Sequence, residues 1–276
     1  MSIDFSIDSE AVGRYNEQKE VDSMNFTGKT AIATGAASGM GLLFCQNFAA
    51  LGGNVVLCDI NEQALTEQVA AINEAGKGKA VMALCDVRDY EQVCAARDLA
   101  VNTFGSIDVM VNFAGGNSMR IHKIPKEVEF PDVPIEVFDW GLDVNLKGAF
   151  YFDHAVMKQM RQQKSGLIVN IGSITGAEGT SKGMDYATSK AGLMYGLTKS
   201  LAQYGSQYGV RCVCVSPGPV LTRAAMAKMK TLLGRAAEPQ EIVDLILFLA
   251  SEKGQFINGE NIMIDGGRNA MTRVQG

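Results

Sequence analysis

The sequence predicts an α/β protein built on one doubly wound parallel sheet of about seven strands, with helices on both faces. Three observations predict it. Short apolar runs alternate with helical patterns along almost the whole chain. Several of those runs are apolar throughout, as strands covered on both faces must be. A glycine-rich turn, Thr34-Gly35-Ala36-Ala37-Ser38-Gly39-Met40-Gly41, follows the first run and opens the first helical pattern. With 276 residues, 47% hydrophobic and 20% charged, the chain can bury one large core and calls for no split.

Strands are read at Lys29–Thr34, Asn54–Asp59, Lys79–Cys85, Ile107–Asn112, Leu167–Ile171, Val210–Ser216 and Asn261–Asp265. Helical patterns lie near 40–52, 61–75, 89–104, 136–163, 185–208 and 238–252. Alternation at this spacing means right-handed crossovers, and ligands of such sheets bind beyond the carboxyl ends of the strands. Residues 26–276 read as one domain carrying a small lid near 219–237. Residues 1–25 form an acidic leader in which Phe5, Val12 and Tyr15 favour a short packed helix.

Most of the net charge of −5 sits in that leader. The rest is nearly neutral and has no basic stripe, so nucleic acid is not an expected partner. No apolar run is long enough to cross a bilayer, and the N-terminus lacks a basic-then-apolar signal, so a cytoplasmic protein without a membrane partner is expected. The six cysteines sit mostly in apolar runs without metal-ligand spacing, which fits reduced, buried thiols.

The glycine turn has a chemical reading. Gly35 makes the tight turn, Gly39 lets backbone approach a phosphate, and Gly41 lets the helix pack on the sheet. Ala37, Ser38 and Met40 complete a helix N-terminus that offers free N–H groups to a pyrophosphate. The second strand ends in Asp59, followed by Ile60, where a carboxylate can accept from ribose hydroxyls. That acid repels a 2′-phosphate and no Arg or Lys stands nearby, so NAD(H) is the expected cofactor. Asp86 and Val87, after the third strand, are placed to meet an adenine edge, although Asp86 also competes as a helix cap.

Tyr186 and Lys190, four positions apart, share one helix face. A cation beside a phenol favours the phenolate, so the pair is expected to act as an acid/base couple with a lowered tyrosine pKa.

With these residues assembled, the chain resembles the short-chain dehydrogenase/reductase family over nearly all of residues 26–268. The matching pieces are Thr34–Gly41, Asp86, Asn112-Phe113-Ala114-Gly115, Asn145, Ser173, Tyr186/Lys190, Pro217-Gly218-Pro219-Val220-Leu221-Thr222 and Ile264-Asp265-Gly266-Gly267. The resemblance implies a Rossmann-type fold and interconversion of a secondary alcohol and a ketone with NAD(H). It implies that Tyr186 moves the proton, that Lys190 lowers its pKa and holds the nicotinamide ribose, and that Ser173 holds the substrate oxygen. Asn145 would anchor a water leading from Lys190 to solvent. Asn112, Ala114 and Gly115 would line the cofactor, with Pro217, Gly218, Val220 and Thr222 along the nicotinamide amide.

The substrate expected is a sugar acid, a polyol or a hydroxysteroid-like alcohol. A 3-oxoacyl carrier-protein reductase is the alternative, followed by a non-catalytic NAD-binding sensor. An enoyl reductase is disfavoured, because those relatives space Tyr and Lys more widely. The resemblance also implies a homotetramer or homodimer built through helices 136–163 and 185–208. The stretch Ile124–Val133 reads as an excursion near the site.

Overall fold

The computed structural model describes residues 24–271; the leader up to Ser23 and the last five residues lie outside the described residues. Seven strands form, in chain order β1 (Thr30–Thr34), β2 (Asn54–Asp59), β3 (Ala80–Leu84), β4 (Val109–Asn112), β5 (Gly166–Ile171), β6 (Val210–Pro217) and β7 (Asn261–Ile264). They pair in the order β3-β2-β1-β4-β5-β6-β7, every pair parallel. The expected fold class is therefore observed, and strand order reverses between β1 and β4.

The apolar runs follow from burial on both faces. Ala31, Ala33, Val55, Leu57, Val111, Val169 and Val213 face one core with Phe44, Phe48, Leu65, Ile242 and Ile246. Ile32, Val56, Met110, Ile168 and Cys212, one position out of step, face the other with Val93, Phe152, Val156 and Met160. The first layer is α1 (Gly39–Ala50), α2 (Glu62–Ala75) and, later in the chain, the helix Pro239–Ala250. The second contains α3 (Tyr90–Phe104). All six cysteines are free and five are buried.

The two long helical patterns form as expected, each with a π-turn inside it. After the short α4 (Ser118–Ile121), α5 (Ile135–Leu142) passes through a π-turn, Asp143–Lys147, into α6 (Gly148–Gln163). Beyond β5 and the short α7 (Ile174–Glu178), α8 (Met184–Ala191) passes through a second π-turn, Gly192–Leu197, into α9 (Thr198–Ser206). A π-turn inserts one residue without ending the helix, so hydrophobic periodicity barely registers it. α10 (Pro239–Ala250) completes the first layer.

The excursion after α4 is folded rather than loose. Ile124 and Val128 pack on a small cluster of Met119, Val133, Val137 and Phe138. Lys182 pins it from the opposite side, donating through Nζ to the carbonyls of Lys126 (2.7 Å) and Val128 (3.0 Å). The lid is closed at its base by a parallel bridge between Val220 and Ala237 and contains a 3-10 turn, Ala224–Lys228.

Candidate active site

The glycine turn sits at the reversal point. Thr34 Oγ1 accepts from the Ala114 N–H at 3.0 Å, which ties the exit of β4 to the exit of β1. A side-chain carbon on Gly41 would stand 2.5 Å from the Gly35 carbonyl oxygen, so only glycine lets α1 begin there. Gly39 differs: its φ of +59° favours glycine, yet a carbon built on it meets nothing within 4 Å. Open space thus faces the start of α1. Ser38, the cap residue, makes no side-chain bond to the first turn, and that turn holds no acid. By contrast, Asn61 and Asp89 cap α2 and α3. The mouth of α1 therefore has free N–H donors and room for an anion, and the residues fit a dinucleotide pyrophosphate.

Asp59 lies under that turn. One oxygen accepts from the Ala37 N–H and the other from the Asn61 N–H, both at 3.1 Å. Each carboxylate oxygen keeps a lone pair for a further donor. Ile60, 72% exposed, stands beside it as an apolar shelf. Asp86 is engaged by Arg88, whose Nε donates to both carboxylate oxygens at 3.0 Å; this hydrogen bonding lowers the Asp86 pKa. The competing cap role belongs to Asp89, not Asp86. Val87 turns its side chain into the core against Gly148.

Asn112 is placed unlike its neighbours. Its Nδ2 donates to Asp153 at 2.7 Å and to Asn170 at 2.9 Å, in a fully buried cluster. Asn170 in turn donates to Asp153 at 3.0 Å. Both amide protons of Asn112 are thus spent inside the protein. Burial pushes the Asp153 carboxyl up to about 7, against the pull of the two amides. Asp153 and Asn170 escaped sequence reading; their only signal was polarity inside otherwise apolar patterns.

The acid/base couple stands at the carboxyl end of β5. Lys190 is 3% exposed, and its Nζ donates to the Ile171 carbonyl oxygen at 2.6 Å. Burial lowers its pKa to about 8. The same ammonium lies 5.6 Å from the centre of the Tyr186 ring. Ser173 caps α7, accepting from the Thr175 N–H at 3.1 Å, and its hydroxyl faces the Tyr186 phenol.

The expectation of a lowered tyrosine pKa is corrected here. Burial raises it, and this outweighs the opposing pull of Ser173, Arg223 and Arg120. The reason is geometric: Lys190 spends one donor on Ile171 and faces the ring rather than bonding the hydroxyl.

Asn145 lies inside the first π-turn, 1% exposed. It pairs with Gly116 as a strand would, accepting from the Gly116 N–H at 2.8 Å and donating to the Gly116 carbonyl at 3.0 Å. Its second amide proton goes to the Gly141 carbonyl at 2.8 Å, inside the helix. A carbon on Gly115 would stand 2.5 Å from Asn145 Oδ1 and 3.6 Å from Lys190 Nζ, so Gly115 separates the two side chains.

On the other wall, Gly218 donates to the Ile264 carbonyl at 3.0 Å beyond Pro217, and Val220 is buried. Thr222 is exposed, with its N–H on the Val220 carbonyl at 2.7 Å. His122 is occupied by an edge-on contact with Trp140, 5.1 Å between ring centres. Sequence reading missed Arg120 and Arg223, although both follow the carboxyl ends of central strands.

Comparisons with known proteins agree with this geometry. Residues 35–269 match the family described as enoyl-(acyl carrier protein) reductase. The trans-4-hydroxycyclohexanecarboxylate dehydrogenase of Sinomonas cyclohexanicum is 38% identical, over 88% of this chain and 93% of that one. A 3-oxoacyl (acyl-carrier-protein) reductase of Thermotoga maritima is 34% identical, over 88% and 99%. Among solved structures, a 7α-hydroxysteroid dehydrogenase complexed with NADH and 7-oxo glycochenodeoxycholic acid superposes with a TM-score of 0.79. It is 30% identical and covers 91% of this chain and 98% of its own. With the strand order, the glycine turn and the Tyr186/Lys190 pair in place, the chain belongs to the short-chain dehydrogenase/reductase family of oxidoreductases.

Proposed function

We propose that this oxidoreductase interconverts a secondary alcohol and a ketone with NAD(H). The observation that carries the reading is the meeting of Tyr186, Ser173 and Lys190 at the end of β5, beside an open, glycine-lined helix mouth. When bound, the nicotinamide supplies the hydride acceptor or donor. The chain's own groups do the rest. In oxidation Tyr186 takes the hydroxyl proton, and Ser173 holds the substrate oxygen and stabilises charge growing on it. Lys190, with two ammonium protons left after Ile171, holds the nicotinamide ribose and keeps positive charge beside the phenol.

For binding, the turn Gly35, Ala37, Ser38, Gly39, Met40 and Gly41 takes the pyrophosphate. Asp59 and Ile60 take the adenine ribose, and Asp86 with the Val87 backbone the adenine edge. The Asn112 backbone, Ala114 and Gly115 support the nicotinamide ribose, while Pro217, Gly218, Val220 and Thr222 lie along the amide. Asp59 supports NAD(H) over NADP(H), since its carboxylate would repel a 2′-phosphate.

A hydroxylated ring acid, a sugar acid or a hydroxysteroid-like alcohol is the favoured substrate range. A relative that is a 3-oxoacyl reductase keeps that activity as the second reading. Five buried thiols support a reducing, cytoplasmic setting. Exposed Phe150 (50%), Tyr195 (52%) and Tyr204 (42%) on α6, the second π-turn and α9 support assembly into a homotetramer or homodimer.

The test is NADH appearance with NAD⁺ across hydroxycyclohexanecarboxylates, sugar acids, polyols and hydroxysteroids. Turnover with one class, faster with NAD⁺ than NADP⁺, is expected. Turnover of a 3-oxoacyl thioester alone would favour the second reading.

A further inference from the structure

At the amino ends of the strands, opposite the cleft, a cavity of about 550 Å³ opens under β1, β4, β5 and β6. Phe26, Val109 and Val210 line it, with Ser165 and Ser206 in its wall and Phe256 at its rim. Phe256 is fully exposed, more so than any other large apolar side chain among the described residues. Its loop is not slack. Arg211 donates to the carbonyls of Leu249 (2.8 Å), Gly254 (3.0 Å) and Ile257 (2.9 Å), and Asn258 accepts from the Cys212 N–H at 2.9 Å. A phenyl ring is therefore held out in water on a loop fastened to β6.

The chain enters the fold at this cavity. Phe26 is 2% exposed, stacks on Phe48 with 4.3 Å between ring centres, and donates to the Leu51 carbonyl at 2.9 Å. The leader of residues 1–23 thus joins three positions before a fixed wall residue. The other terminal segment leaves from the 3-10 turn Arg268–Ala270, past the carboxyl end of β7 and so from the opposite end of the sheet. Both cations lining the cavity are engaged: Lys29 pairs with Asp108 at 3.0 Å, and Arg211 is spent on the three carbonyls. The cavity does not call for an anion.

We propose that the leader folds back over this cavity of its own chain, seating Val12 and Tyr15 against Phe256. Spaced three apart, the two share one face of a helix. Wound as a helix, residues 12–23 cover about 17 Å, and the span from β1 to β6 is about 14 Å, so the reach suffices. Tyr15 matches the lining: its ring meets Phe256 and its hydroxyl meets the serines of the wall. Attachment so close to the cavity gives the chain's own leader an effective concentration that a second copy does not match. The inference is independent of the reaction.

The test uses the full-length protein with Phe256 exchanged for photoreactive p-benzoylphenylalanine. After irradiation the captured peptide is identified by mass spectrometry. Capture of residues 9–23 at the mass of one chain is expected, reduced at least about 10-fold by Val12→Asp or Tyr15→Asp. Hydrogen exchange gives a second reading on the chain with Phe256 in place. There Tyr15→Asp should speed exchange of residues 252–258 about 10-fold. It should leave unchanged a second groove near Leu51, lined by Ala49, Ala71 and Ile72. Thermal melts confirm that each variant keeps the fold. Capture between two copies, capture of another segment, no capture, or exchange at 252–258 indifferent to Tyr15→Asp would overturn the proposal.

Discussion

The floor of the cleft and its rim are built on opposite terms. On the floor, Lys190, Asn145 and Ser173 are buried or nearly so, and each is held by backbone: Ile171, Gly116 with Gly141, and Thr175. On the rim, Arg120 and Arg223 are exposed and carry no counter-ion among the described residues. A group held from several sides cannot adapt to a new ligand, so the floor fixes what reaction occurs. A group held only by its own loop can meet different ligands, so rim substitutions should act through substrate binding rather than through the reaction. Enzymes that combine one chemistry with many substrates need both kinds of construction.

That contrast breaks if floor and rim substitutions behave alike. The largest effect belongs to the floor: Tyr186→Phe should lower kcat about 10²- to 10⁴-fold for every substrate, while NADH binding persists. Stopped-assay rates and fluorescence titration of NADH check the two halves separately. Asp59→Ala comes next, at the far end of the floor. Removing that carboxylate should improve kcat/KM for NADP⁺ relative to NAD⁺ by about 10-fold, roughly the effect of one unfavourable charge contact. An unchanged cofactor ratio would show that Asp59 serves only the Ala37 and Asn61 turns.

A pH profile sharpens the comparison further. With Tyr186 as the proposed proton acceptor in oxidation, kcat/KM for oxidation should rise with pH, and reduction should fall over the same range. Burial raises the Tyr186 pKa, so the transition should lie on the alkaline side. Arginine substitutions on the rim should shift it slightly upward, because both guanidiniums pull the tyrosine down.

The smallest effect concerns a group outside the cleft. Asp153 is as buried as Lys190 but is enclosed by Asn112 and Asn170. Its carboxyl is raised from 3.8 to about 7, so the folded protein holds a proton that the unfolded chain releases. Stability should therefore fall as pH rises from about 4 to about 7, and Asp153→Asn should flatten that slope. Melting curves at several pH values check it. A slope unchanged in the variant would place the proton elsewhere.

Much of the floor was legible in the sequence, because each part is a local pattern. The glycine turn, the acid closing β2 and the Tyr186/Lys190 spacing are each contained within a few residues. What was not legible comes from distant segments. Asn112 and Asn170 become neighbours only because β4 and β5 pair in that register, and Asp153 joins them only because α6 crosses behind. Arg120 on α4 and Arg223 at the start of the lid lie over a hundred positions apart, so no local pattern links them. The π-turn that aims Asn145 at Gly116 leaves almost no trace in periodicity. The tyrosine pKa was misread for a related reason: adjacency on a helix face is visible in sequence, but burial and the Ile171 carbonyl are not.

The most direct test is a single-turnover experiment on the wild type and Tyr186→Phe, mixing enzyme and NAD⁺ with a hydroxy acid that the wild type oxidises. The floor as described predicts rapid NADH formation in the wild type and a loss of at least about 10²-fold in the variant, with NADH affinity unchanged. A variant that forms NADH at the wild-type rate would contradict the assignment of the proton to Tyr186.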